Sequence, residues 1–180
     1  MASIWVEDSH RSSKELQKAD GITVTTSILE DDFGPCGESV VYDFNATLRT
    51  LTISGTGKMY DYTQKEPPPW DRYKIYISDL FIKEGITYIG TYAFFLVNRI
   101  IACKLPNGLE TIGSQAFSHC DRLYSISLPN TLREIGDQAF SKCAKLFYIT
   151  LPDSLVILGS GAFESCFELK SITIPSSIGS

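Results

Sequence analysis

The stretch Ile112–Cys120 of this 180-residue chain returns 23 residues later as Ile135–Cys143, and again as Leu158–Cys166. A degenerate copy, Ile89–Val97, precedes them, and no insertion disturbs the 23-residue spacing. A fixed period in the twenties constrains the fold more than composition does. Each repeat is too small to bury its own apolar face, so successive repeats must stack as rungs of a solenoid and share one core.

Within each period a six-residue pattern predicts a strand, at 77–82, 100–105, 123–128, 146–151 and 169–174. Its first, fourth and sixth positions are apolar, as in Leu123, Ile126 and Leu128, and are expected to point inward while the others face out. Pro106, Pro129, Pro152 and Pro175 follow the last four strands and end them, because proline has no N–H to give to a ladder. A second apolar position (Leu109, Leu132, Leu155) then leads to an Ile-Gly or Leu-Gly corner, where the glycine either takes a positive φ or lets neighbouring rungs approach closely. Ala and Phe come next, on what is expected to be a short helical turn closing the convex side. Phe94, Phe117, Phe140 and Phe163 keep the register and are expected to stack as an aromatic spine. Fourfold recurrence argues against a cofactor box, which needs one site.

Five cysteines are present. Cys120, Cys143 and Cys166 share one slot, and Cys103 stands where Ile126, Ile149 and Ile172 stand elsewhere, so these four read as small buried hydrophobes rather than a disulfide or metal ladder. There is no CxxC pair, and His10 and His119 are the only histidines, which is poor support for zinc. Cys36, between Pro35 and Gly37, is expected to be exposed.

Upstream of the array, residues 1–35 read as a loosely packed segment, with two helical turns conceivable over 12–19 and a β-branched strand over 22–29. The run Glu30-Asp31-Asp32 lacks calcium-loop spacing and reads as a solvated loop. Residues 36–76 read as an N-terminal β cap: a hairpin of Val40–Phe44 and Leu48–Ser54, then the stiff connector Pro67-Pro68-Pro69 ending in Trp70. The first rung of a solenoid has no neighbour on one side, so Trp70 is expected to cover it. Gly55-Thr56-Gly57 is too short for a phosphate loop and no helix follows it. Asn45-Ala46-Thr47 is a hairpin turn that also fits an N-glycosylation acceptor. Residues 77–180 hold about four 23-residue repeats.

The unit L-x-x-I-x-L-P-x-x-L-x-x-I-G-x-x-A-F-x-x-C, matched by Leu123, Ile126, Leu128, Pro129, Leu132, Ile135, Gly136, Ala139, Phe140 and Cys143, resembles the BspA-like (Treponema-type) leucine-rich repeat. The resemblance covers about 77–175 and departs at Lys83 (for Pro), Val97 (for Cys) and Cys103 (for Ile). It implies a leucine-rich repeat solenoid, mostly β and irregular, with a parallel sheet on its concave face. It also implies a microbial surface protein that adheres to host or matrix proteins. An intracellular scaffold of the same fold is the alternative.

The net charge is −5, and no run of Lys and Arg tracks an expected strand, so nucleic acid and anionic membrane are poor partner expectations. The N-terminus has no basic region followed by an apolar core, so no signal peptide is expected, and no apolar run is long enough to insert in a membrane. No catalytic, cofactor or metal motif is found; G-x-S-x-G is absent, and two histidines leave little for imidazole chemistry. A non-enzymatic binding module is expected. Its candidate protein-binding residues face outward from the strands: Phe81, Lys104, Tyr124, Ser127, Phe147, Tyr148, Thr150 and Lys170. Outward aromatics on adjacent rungs either form a binding patch or merely brace the sheet. No covering segment is expected for the last strand, 169–174, so either its edge pairs with another chain in self-association or the array is part of a longer one.

Overall fold

The computed structural model describes residues 14–17, 23–26 and 29–179. Strands β1 (Lys14–Gln17) and β2 (Thr23–Thr26) pair antiparallel, so the segment expected to turn helically over 12–19 contains a strand of a hairpin instead. Next come β3 (Asp32–Pro35), β4 (Val40–Asn45), β5 (Thr50–Gly55) and β6 (Gly57–Lys58), then a 3-10 helix at Pro69–Tyr73. The array supplies β7 (Asp79–Ile82), β8 (Ile86–Ile89), β9 (Ala102–Lys104), β10 (Thr111–Ile112), β11 (Ser125–Ser127), β12 (Glu134–Ile135) and β13 (Ile157–Leu158).

The expected inward positions of the first four strands are inward. Ile100, Cys103 and Leu105 are buried, as are Leu146, Ile149 and Leu151. On this concave side β5 runs parallel to β7, β9 runs parallel to β11, and a single parallel bridge joins Ser125 to Tyr148. The expected strand at 169–174 does not form. No backbone hydrogen bond ties residues 170–174 to the rung before them, and Ile174 is 52% exposed. Residues 169–174 therefore present no regular strand on this side of the array.

A second parallel sheet, in the order β13-β12-β10-β8-β6, occupies the corners that the sequence marks only as Ile-Gly or Leu-Gly. The corner glycines are not in the left-handed region, so close approach is their purpose. A Cβ on Gly136 would lie 2.6 Å from the backbone nitrogen of Ser114.

The expected helical turn is a ribbon of turns. Gln115 and His119 take φ of 54° and 60°, and Gln138 and Lys142 repeat those values one rung on. Two left-handed residues per turn break any helix. Alternate N–H groups then bond in different directions: Ala116 and Ser118 donate within the rung to Gly113 and Gln115, whereas Gln115, Phe117 and His119 donate to Asp137, Ala139 and Ser141 of the next. Each rung is thereby bonded to its neighbour on this third side too, which offsets the backbone cost. Inside it, Phe94, Phe117, Phe140 and Phe163 stack at centroid separations of 5.2, 5.4 and 5.5 Å.

The N-terminal side of the first rung is closed by the upstream sheet. Trp70 is fully buried and stacks on Phe94 at 5.8 Å, with Tyr42 and Tyr62 edge-on to it. Its indole N–H donates to the Ala93 carbonyl at 2.8 Å, and the Tyr62 N–H donates to the Thr91 carbonyl at 2.9 Å. One rung on, the equivalent carbonyls, Ala116 and Ser114, accept from Phe94 and Tyr92. Trp70 and Tyr62 thus stand in for the donors of a missing rung.

Three expectations change here. Residues 32–35, read as part of the N-terminal segment, add a strand to the sheet, because Asp32 accepts from the Tyr42 hydroxyl at 2.9 Å and pairs with Arg72 at 2.6 Å. Asp31 accepts the Ala46 N–H, so the acidic run is anchored rather than merely solvated. Cys36 is buried, not exposed, because its turn is bonded to Val40 and Tyr60 on both sides. Burial pushes its thiol up to about 12.

All five cysteines are free and buried. Cys120, Cys143 and Cys166 donate their thiols to the carbonyls of Phe94, Phe117 and Phe140, at 3.3, 3.2 and 3.1 Å. Lys83 departs from the repeat's proline for a visible reason: its N–H donates to the Ile53 carbonyl of β5 at 2.9 Å. Lys83→Pro is expected to cost about 1–3 kcal/mol, from the lost donor and the carbonyl left without it. Urea unfolding checks this, and a cost near zero refutes the anchoring role.

Candidate functional site

The outward side chains form columns, because each strand position recurs one rung on. The second position supplies Ser78, Ile101, Tyr124 and Phe147, and the fifth supplies Phe81, Lys104, Ser127 and Thr150. Rungs stack at roughly the spacing of paired strands, ~4.8 Å. Flat rings in one column can therefore lie face to face. Tyr124 and Phe147 do so, with centroids 5.5 Å apart and planes within 2°. Both remain exposed. The pair braces adjacent rungs and still presents an apolar edge to solvent. Tyr148 has no such ring partner; it is 64% exposed, and its hydroxyl accepts from Thr150 Oγ1 at 3.3 Å.

A groove of about 630 Å³ runs along the C-terminal half of these strands. It brings together five of the candidate residues, Phe81, Lys104, Ser127, Tyr148 and Thr150. It does not include Tyr124 and Phe147, which stand in the neighbouring column, or Lys170, which lies on the unpaired 169–174 segment. Lys83, which stands where the repeat has proline, joins the groove with its ammonium 5.4 Å from the Phe81 ring centre.

Basic residues also stand beside the strands, just outside the six-residue patterns. Arg99, Arg122 and Lys145 recur at 23-residue spacing, one position before the second, third and fourth strand patterns begin. Arg99 and Arg122, with Arg49 from the turn between β4 and β5, line a second groove of about 410 Å³ on the other margin of the same face. Spacing alone would have found this series had the strand window been one residue longer. Asn45, the glycosylation candidate, uses its Oδ1 to accept the Leu48 N–H at 2.7 Å, as a turn residue does.

Parallel rungs with inward Leu and Ile, proline-terminated strands and an outward strand face define a leucine-rich repeat solenoid. The family described as BspA type leucine rich repeat region matches residues 72–180 in six copies, and the chain belongs to that family. The 23-residue spacing by itself marks about four full repeats there. A leucine-rich repeat protein of Eubacterium ventriosum is 25% identical, with a TM-score of 0.70 over 82% of this chain and 39% of that one. The leucine-rich repeat protein of Treponema pallidum is also 25% identical, with a TM-score of 0.60 over 74% of this chain and 68% of its own. A leucine rich cell surface protein of Faecalibacterium prausnitzii shares the fold at 24% identity and a TM-score of 0.60, over 79% of this chain and 42% of that one. The chain thus spans about two fifths of the Eubacterium protein. No curated protein matches it. Among the described residues no helix is long and apolar enough to cross a membrane.

Proposed function

We propose that this chain is a protein-recognition module of a microbial cell surface, that residues 29–76 cap its repeat array, and that its concave face docks a host or matrix protein. The observation that carries this reading is the stacked, exposed Tyr124–Phe147 pair beside Tyr148 and the large groove. Exposed aromatics clustered on one face suit the centre of an interface, and a face carried on rungs that are bonded to one another through the corner sheet and the turn ribbon loses little entropy on docking. The surface placement is supported by the family and by the Faecalibacterium relative's description as a cell surface protein.

The test is binding of the purified chain to a panel of immobilised extracellular-matrix proteins, beside a Tyr124→Ala/Phe147→Ala/Tyr148→Ala variant. The expected result is binding that falls at least roughly tenfold in the variant, with its melting temperature little changed, since such anchors typically contribute ~1–2 kcal/mol each. Equal binding by both proteins sinks the concave-face reading. The five unpaired thiols favour a second reading, an intracellular scaffold of the same fold, because reduced thiols are ordinary in the cytosol. Protease shaving of intact cells separates the two.

A further inference from the structure

We infer that the partner segment is an acidic, extended stretch of polypeptide, held along the concave face by cations on both margins. This rests on the reading that the face docks protein, and it adds the partner's charge. The chain carries a net charge of −5, yet basic side chains gather here. Lys83 and Lys104 line the larger groove, and no carboxylate lines it with them. Arg49, Arg99 and Arg122 line the other groove with one acid, Asp79, which accepts from Ser78 Oγ at 2.8 Å. The two grooves share Ala102, so they are two sides of one floor.

None of these five cations is in an ion pair with another described residue. The ion pairs among the described residues are Arg72–Asp32, Lys74–Asp71 and Lys145–Glu168. Within the basic series itself the contrast is direct: Lys145 is neutralised by Glu168, whereas Arg99 reaches only the Ile75 carbonyl, at 3.3 Å. A face with unpaired cations on both sides of an apolar floor repels basic partners and steers acidic ones.

The floor decides between kinds of polyanion. Ile101, Ala102 and the Tyr124–Phe147 pair separate the two margins, and Asp79 and Asp121 stand among the arginines. Duplex DNA or a sulfated glycan requires a continuous basic track, which Asp79 and Asp121 interrupt, and gains little from an apolar floor. An extended polypeptide suits both features, since side chains along it alternate in direction. Its acidic residues reach the margins and its apolar residues meet the floor.

The experiment uses the full chain and three short labelled peptides with alternating Glu and Leu, Gln and Leu, or Lys and Leu, read by fluorescence anisotropy. Heparin and duplex DNA serve as competitors. The expected result is that the Glu peptide binds at least about tenfold tighter than the Gln peptide, and that the difference shrinks between about 0.05 and 0.3 M salt. Lys83→Glu/Lys104→Glu and Arg99→Glu/Arg122→Glu should each remove most of that preference, and the milder Lys83→Gln/Lys104→Gln should remove part of it with folding intact. Equal binding of the Glu and Gln peptides, no binding of the Glu peptide, or tighter binding of heparin or DNA than of the Glu peptide overturns the inference. If the charge variants change nothing while the aromatic variant still loses matrix-protein binding, the docking face stands and the acidic partner falls. If the aromatic variant also binds matrix protein like the wild type, the docking reading falls on its own assay.

Discussion

Phe140→Ala is expected to lower the unfolding free energy by about 3–5 kcal/mol, the range for deleting a buried aromatic ring and leaving a cavity. The ring is fully buried and sandwiched, with Phe117 at 5.4 Å on one side and Phe163 at 5.5 Å on the other, both within 6° of parallel. The geometry leaves little room for collapse. The backbone around it is fixed by bonds from Phe140 to Ala162 and from Phe117 to Ala139, so the neighbouring rungs cannot close the gap. Solenoid stability is a sum of weak rungs and strong interfaces, and one substitution here damages two interfaces at once. The same change at Phe163 touches one interface and a partly exposed ring, and should cost roughly half as much. Equilibrium unfolding in urea, with both variants side by side, measures this. A loss below about 1 kcal/mol at Phe140 would show that the ring is not the spine's centre.

The ordering of those two costs follows from the repeat, and much else was legible the same way. A 23-residue period with three apolar positions per strand specifies which residues point in, and the buried Ile100, Cys103 and Leu105 obey it. What it hides is structure too short to show a period. Strands β10, β12 and β13 have two residues each, and an alternation of two cannot be recognised in two residues. The ribbon of turns was hidden for another reason. Its left-handed positions carry Tyr92, Gln115 and Gln138 rather than glycine, and only Gly161 marks the slot. Cross-rung hydrogen bonds hold those residues where local preference would not.

The candidate face shows the same division. Its columns were readable, because position within the repeat fixes position on the face. Which columns share a groove was not, since the second and fifth positions lie on the same face and differ only by their place along the strand. Two residues of the basic margin, Arg99 and Arg122, lay in plain sight one residue outside the strand pattern. Counting net charge concealed it, because −5 is an average over faces of opposite sign.

Trp70 supplies the second large effect, and here two substitutions separate two jobs. Trp70→Ala is expected to cost about 3–5 kcal/mol, since the indole is fully buried between Phe94, Tyr42 and Tyr62. Trp70→Phe keeps an aromatic ring but deletes the N–H that bonds the Ala93 carbonyl at 2.8 Å. Ala93 is itself fully buried, so water has no ready access to replace that donor. An unpaired buried carbonyl costs about 1–3 kcal/mol, and Trp70→Phe should fall in that range after a smaller packing loss. The pattern of damage is as informative as its size. The first rung is held on one side by Trp70 and Tyr62 and on the other by the Tyr92, Phe94 and Leu96 bonds to the next rung. Losing the indole should therefore accelerate amide exchange first at the donors of residues 92–96, and later, more weakly, one rung on at 115–119. Hydrogen exchange read by mass spectrometry on the two variants and the parent resolves that gradient. If Trp70→Phe is neutral and exchange rises evenly along the array, the indole N–H does not serve as the missing rung's donor, and the cap acts through apolar cover alone.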